Sequence, residues 1–301
     1  MQRDTVMPPP IIPTLQRTSG RLDILGRRSW AAGLSFVSYG IKVGLRSNNA
    51  ALMEQLLELL PPGWKPINQQ RVQRIYSVIA GEDKIASGSG KRGRGLNMLY
   101  ADDAQLAKSR EIDGLLERFE ADLQLFVAES AQRRVFIHSG VVAWRGRAIL
   151  IPGRSFSGKT TLVAELVRAG ALYYSDEYAV LDSRGRVHPY PKPLGIRKDS
   201  SFDQTKFPVE SLGGAAGARS IPVGMIVVSR YKAGTNWRPQ RLSAGKSALE
   251  LLSNAVPARK RPAAALDVLQ KVVSAAPTLK GLRGDAAKTA RLILQRLDES
   301  L

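Results

Sequence analysis

Ala148-Ile-Leu-Ile-Pro-Gly153-Arg-Ser-Phe-Ser-Gly158-Lys159-Thr160-Thr161-Leu-Val163 is the stretch on which the reading of the fold turns. Its first four residues are an apolar run of strand length. From Thr160 the apolar set Leu162, Val163, Leu166 and Val167 has helical spacing, and Gly170 supplies a stop. Between the two, Gly153 to Thr160 fits G-x-x-x-x-G-K-[ST] at every position. In a strand-loop-helix setting the glycines let the backbone fold round a phosphate. Successive N–H groups and the positive end of the helix then point at the anion. The pattern assigns Gly153, Arg154, Ser155, Phe156, Ser157, Gly158, Lys159, Thr160 and Thr161 to the cradle, with Lys159 reaching the β- and γ-phosphates and Thr160 placing its hydroxyl on Mg²⁺.

Downstream, Ala171-Leu-Tyr-Tyr-Ser-Asp176-Glu177 reads as a short strand ending in two acids. A right-handed crossover makes that strand parallel to the one before the loop, so both end on one edge of the sheet and the acids land beside the phosphates. A carboxylate there can hold Mg²⁺ or take the proton of an incoming hydroxyl. The plainer alternative is a solvated turn between Tyr174 and Tyr178. With Thr160, Asp176 and Glu177 make an all-oxygen metal set. Two imitations are set aside: Gly88-Ser-Gly90-Lys-Arg-Gly93 spells GxGxxG with no helix opening after it, and Gly245-Lys246-Ser247 lacks the first glycine of a phosphate loop.

The rest of the chain bounds the chemistry. Of 301 residues, 45 are Lys or Arg and 26 Asp or Glu, a net charge of +19 that predicts acidic company. There is no cysteine, which excludes disulfides, thiolate metal sites and cysteine nucleophiles. Only His138 and His188 are present, too few and too far apart for a transition-metal site, so Mg²⁺ on oxygen ligands is the metal expected. The basic clusters Lys91-Arg92-Gly93-Arg94 and Arg259-Lys260-Arg261 raise nucleic acid as a partner. Aromatic residues at 6%, and the lack of any recognisable nucleic-acid-binding motif, weigh against it. A cationic surface that steers an acidic peptide or small protein is preferred. With no signal-peptide pattern and no long apolar run, the expectation is a cytoplasmic protein without a membrane segment.

Residues 1–20, with four prolines, read as a tail. An amino-terminal α/β domain is expected over 21–130. In it Ile41, Val43 and Leu45 alternate with Lys42, Gly44 and Arg46 as in a strand with one wet face, followed by a helix carrying Leu52, Met53, Leu56, Leu57 and Leu60. Strands at about 74–80 and 96–100 flank the loop 81–95, and a long helix spans about 111–132. At Val135 the texture changes to VFIHSGVVAW and AILIP, joined by Arg145-Gly146-Arg147, as in buried strands of a second domain over 131–301. That domain adds a strand at 225–229 and helices at about 244–254, 264–275 and 285–298.

His138-Ser-Gly140-Val-Val stands ahead of this strand pair. The first loop glycine follows His138 by 15 residues, and Asp176 follows Lys159 by 17. Over about 131–200 this arrangement resembles the HPr kinase/phosphorylase catalytic domain and its wider set of HPr-kinase-like proteins. The resemblance implies a P-loop core related to phosphoenolpyruvate carboxykinase, here with a smaller α/β amino-terminal domain and carboxy-terminal helices. It implies ATP and Mg²⁺ as cofactors and an ATP-dependent serine kinase as the activity. Asp176 is then the general base, Glu177 the second acid, Lys159 a catalytic phosphate contact, and His138 lies beside them; taken alone, His138 reads as a core histidine. Phe156 replaces a usual glycine, Glu177 replaces an aspartate, and Pro193-Leu194-Gly195-Ile196-Arg197 stands where true HPr kinases carry Leu-Glu-x-Arg-Gly-x-Gly. HPr is therefore not the expected acceptor. Kinases of the wider set tailor ribosomal peptides, which makes a peptide hydroxyl the expected one, and relatives suggest a homo-oligomer. His188 reads as structural, and Arg197 and Lys198 as surface charges or phosphate neutralisers. The alternative function is a P-loop NTPase or nucleotide-binding regulatory module without kinase activity.

Overall fold

The computed structural model describes residues 16–17, 25, 29–81, 84–85, 92–93, 95–154, 157–197 and 204–300. By contact density the chain divides into two compact units, Met1–Ala131 and Gln132–Leu301. Among the described residues no helix is long and apolar enough to cross a membrane.

In the first unit the elements run β1 (Gln16–Arg17), β2 (Ala32–Ser38), β3 (Ile41–Ser47), α1 (Ala50–Glu58), β4 (Lys65–Ile67), β5 (Arg71–Val72), β6 (Arg74–Ile79), β7 (Lys84–Ile85), β8 (Arg92–Gly93), β9 (Asn97–Ala101), β10 (Ala104–Ser109) and α2 (Asp113–Ser130). Six strands form a mixed sheet in the order β10-β9-β6-β3-β2-β4, parallel at β3–β6 and antiparallel elsewhere. Of the wet face expected of β3 only Lys42 is exposed, and Gly44 and Arg46 are buried. Arg46 is 4% exposed, its Nε donates to Ser77 Oγ at 2.8 Å, and its guanidinium lies 4.4 Å over the Trp30 ring. An aromatic face and a hydroxyl thus replace water for that cation. Strand β10 has no counterpart among the sequence expectations. Its residues Ala-Gln-Leu-Ala-Lys-Ser do not alternate cleanly, and it exists because the turn at Asp102, with φ +55°, folds the chain back on β9. Apart from Gln16–Arg17 the tail lies outside the described residues, as does Gly88–Gly93 apart from Arg92–Gly93.

The second unit contains β11 (Val135–Trp144), β12 (Arg147–Pro152), α3 (Lys159–Arg168), β13 (Leu172–Ser175), β14 (Tyr178–Leu181), β15 (Val187–His188), β16 (Leu194–Arg197), β17 (Gln204–Phe207), β18 (Val223–Tyr231), β19 (Gln240–Arg241), α4 (Ala244–Leu252), α5 (Pro262–Ala275), β20 (Thr278–Arg283) and α6 (Ala286–Asp298). Eight strands make a mixed sheet ordered β15-β14-β11-β12-β18-β20-β19, with β13 also on β11. Strands β12, β18 and β20 are parallel neighbours, while β11 is antiparallel to β12 and to β13–β14. Thus β13 runs in the direction of β12, with β11 between them. Alternation sorts the side chains. Val142, Ile149, Ile151, Met225 and Val227 pack with α3 and α6, whereas Val141, Ala148, Leu150 and Ile226 pack with α4 and α5. Four side chains of α3, Leu162, Val163, Leu166 and Val167, are at most 2% exposed. Each contributes about 1.5–3 kcal/mol of burial. The helix ends as its sequence predicts: Gly170 takes φ +99°, Ala171 N–H bonds Leu166 O, and Gly170 N–H bonds Val167 O. Strand β20 is the main element that the sequence did not announce.

Gly140 lets α3 lie close on β11, since a Cβ there would meet Val163 Cγ2 at 2.5 Å. Gly140→Ala is expected to lower stability by about 1–3 kcal/mol through overpacking. Urea denaturation measures this, and in a double-mutant cycle Val163→Ala should remove part of the cost of Gly140→Ala.

Candidate functional site: the phosphate loop and its flanks

The loop leaves β12 at Pro152 and enters α3 through Gly158, whose φ of +79° is the left-handed conformation that glycine adopts without strain. No side chain caps α3. The Ser157 hydroxyl is buried with no hydrogen-bond partner among the described residues. A Cβ on Gly153 would stand 2.8 Å from that hydroxyl. An uncapped helix start, two glycines and an unsatisfied hydroxyl make a cradle whose own polar groups await an acceptor. Lys159 Nζ meanwhile donates to Arg154 O at 2.9 Å, closing over the loop. Thr161 is exposed on the first turn of α3. Ser155 and Phe156 lie outside the described residues, as does Lys198, and of Arg197 only the backbone is described.

Strand register brings the acids to the loop. Ser139 on β11 lies opposite Pro152 on one side, and its N–H bonds Glu177 O on the other; His138 O accepts from Gly153 N, and His138 lies opposite Tyr178. The mouth of the loop and the acids are thus level and two strand spacings apart, roughly 10 Å. As expected, a short strand, β13, stops at Ser175 just before the acids and runs in the direction of β12. The acids themselves sit in a bend after which the chain continues along β11 as β14, and Ser175 Oγ pins the bend by accepting from Glu177 N and Tyr178 N.

Asp176 is 8% exposed and Glu177 is exposed. Tyr173 Oη lies 2.8 Å from Asp176 Oδ1, Gly195 N–H donates to Oδ2 at 3.4 Å, and the Thr160 side chain is near enough to favour the charged carboxylate. Burial pushes Asp176 above the ordinary carboxylate range, against these hydrogen bonds. Tyr173 Oη is also 2.8 Å from Lys192 O. A hydroxyl has one proton and both neighbours are acceptors, so a proton on Asp176 would complete the trio. The Thr160 hydroxyl beside a carboxylate is a hard oxygen pair that fits Mg²⁺. No group of three or more His, Asp or Glu side chains suited to a metal occurs among the described residues.

His138 is exposed on the α3 side of β11, its ring 4.8 Å from that of Tyr178. Loss of surrounding water and, secondarily, the Lys159 ammonium hold it below the ordinary histidine value of 6.5. His188 lies elsewhere, Nε2 at 3.0 Å from Asp182 Oδ2. The Arg261 end of the second basic cluster lines a cavity of about 220 Å³ with Arg133, Arg134 and Lys271, on the α5 side of the sheet.

One site residue escaped sequence reading. Arg283, at the end of β20, is 2% exposed and donates from Nη2 to Gly158 O at 2.7 Å. Among the described residues no carboxylate pairs with it, and its Nε has no partner. Burial holds its pKa below the ordinary arginine value. In a chain with 45 basic residues no sequence signal singles it out. Comparison of the chain with protein-family models and with curated proteins found no match, so the geometry of the site carries the functional reading.

Two outcomes test these electrostatics. Since a lone buried cation opposes folding, Arg283→Met should keep or raise the melting temperature in anion-free buffer, and should shrink the rise that tripolyphosphate gives the parent protein. The His138 ring should titrate by NMR below 6.5. Lys159→Met should return it only part of the way, because burial is the larger cause. The unfolded chain binds this proton first, so His138 removes stability as pH falls from 6.5 to the lowered value, and no more beneath it.

Proposed function

We propose that the second unit is an HPr-kinase-like P-loop phosphotransferase that passes the γ-phosphate of ATP to a serine-type hydroxyl of an acidic peptide or small protein. The observation that supports it best is the register that sets Asp176 and Glu177 level with the loop mouth, with Thr160 near Asp176. A phosphate loop alone serves any NTPase. A buried carboxylate held beside its Thr supplies the second requirement, a base or metal ligand at the transferring group.

In this reading the loop N–H groups, Lys159 and Arg283 hold the triphosphate as substrate. Mg²⁺, held by Thr160 with Asp176 or Glu177, would neutralise charge on the β- and γ-phosphates. The acceptor oxygen forms a bond to the γ-phosphorus as the bond to the bridging oxygen breaks and ADP leaves with that electron pair; the hydroxyl proton passes to Asp176. A serine hydroxyl is a weak nucleophile at neutral pH, so its in-line placement by the bound acceptor is most of the catalysis. The net charge of +19 favours an acidic acceptor.

Lys159→Ala should lose ATP binding without unfolding. Asp176→Asn should bind ATP and transfer at least 100-fold more slowly. The measurements are calorimetric titration, and incubation with γ-labelled ATP and a lysate of the source cells followed by identification of the labelled species. Vigorous ATPase activity without acceptor, unchanged in Asp176→Asn and leaving no labelled partner, would turn the reading to the NTPase alternative.

A further inference from the structure

The two strands beside β12 both run past the point where the loop begins. On one flank, β11 and β14 extend beyond the Ser139–Pro152 pair and carry His138 and Tyr178. On the other, β18 pairs Ile226 with Leu150 and continues to Tyr231, accompanied by β20 as far as Arg283. The loop therefore lies between two projecting ribbons, and the acids occupy one of them. The second ribbon has no role in the chemistry above beyond Arg283.

Tyr231 lies directly across from Arg283. Met225, Val227 and Leu279 of the same strands pack with α3, so alternation sets Tyr231 and Arg283 on the α3 face. Arg283 confirms this by bonding the Gly158 carbonyl. Its guanidinium carbon is 5.8 Å from the centroid of the Tyr231 ring, so one side chain bridges loop and ring. Tyr231 is 58% exposed, the one exposed Phe, Tyr or Trp side chain among the described residues. A solvated ring at the mouth of a phosphate cradle, backed by a cation, suits a flat π-system tethered to a phosphate chain. The acid-bearing flank is reserved for the acceptor hydroxyl, which leaves this flank for the other end of the nucleotide.

We infer that Tyr231, backed by Arg283, is the platform on which the nucleobase of the bound nucleoside triphosphate stacks. This rests on the phosphotransferase reading and adds to it the direction in which the nucleotide lies: phosphates at Gly153–Thr160, base over β18, acceptor over β14.

The test compares ATP with inorganic tripolyphosphate, which has the phosphates and no base, by calorimetric titration of the full chain with Mg²⁺ present. Tyr231→Ala should raise the Kd for ATP about tenfold and change that for tripolyphosphate less than twofold, whereas Tyr231→Trp should bind ATP as well as the parent or better. Lys159→Ala should weaken both ligands. Equal weakening of ATP and tripolyphosphate in Tyr231→Ala would assign the ring a merely supporting role under Arg283 and overturn the platform. An unchanged ATP affinity in Tyr231→Ala, with both ligands still lost in Lys159→Ala, would overturn the platform and leave the phosphotransferase reading standing. A parent protein that binds neither ligand would overturn both.

Discussion

The carbonyl of Gly158 accepts from Leu162 N at 3.2 Å, as the first turn of α3 requires, and from Arg283 Nη2 at 2.7 Å. A trans peptide is rigid, so pinning that oxygen fixes the Lys159 N–H on the opposite side of the same plane, toward the loop. Gly158 must be glycine for two reasons: its φ of +79°, and the 2.3 Å that would separate a Cβ from Arg283 Nη2. The bracing cation stands at the positive end of a helix, with no carboxylate among the described residues to balance it. In an empty site that accumulation opposes folding. Under the proposed function a bound triphosphate would make it favourable, so that stability given up in this corner would be recovered on binding.

Sheet order follows from the same corner. Had β13 paired with β12, the backbone of the acid bend would lie one strand spacing from the loop mouth, about 5 Å. The antiparallel β11 inserted there doubles the gap, and Gly140 lets α3 keep its contact with the widened sheet. Because β11 is antiparallel it can also overshoot the end of β12, and this supplies the backbone groups at His138 and Ser139 that fasten Gly153 to one side and Glu177 to the other.

Local patterns were legible and distant partnerships were not. The strand-loop-helix at 147–168 could be read because strand apolarity, glycine placement and helical spacing agree over one short stretch, and the hairpin at Arg145-Gly146 and the helices α4 to α6 were visible for the same reason. Strand β20, Thr-Leu-Lys-Gly-Leu-Arg, was missed because only Thr278, Leu279 and Arg283 are buried; its membership of the sheet is decided by β18, not by its own residues. Arg283 fails the usual test for burial altogether, since a charged side chain predicts solvent. Arg46 misled in the same direction. In both cases the partner that makes burial tolerable, a loop carbonyl or an aromatic face, lies far away in sequence. The acids were expected at a strand end because a four-residue apolar run stops before them. That the chain resumes as β14 after a bend depends on the length of β11, which no local pattern encodes.

That continuation matters for the proposed chemistry. A carboxylate at a frayed strand end would move with its loop, but Asp176 has sheet on both sides of it, and Tyr173 and the Gly195 N–H hold its two oxygens. Position is therefore fixed before any ligand arrives. Charge is not. Burial raises the pKa of Asp176, and the shared contact of Tyr173 with Lys192 O leaves room for a proton between the tyrosine and the acid. Under the proposed function Asp176 must be ionised to accept the acceptor's proton, and the groups that favour ionisation are its polar neighbours Tyr173, the Gly195 N–H and Thr160. The contacts that fix the position of the carboxylate would then also set its charge, so that placement and proton transfer depend on one set of neighbours around Asp176.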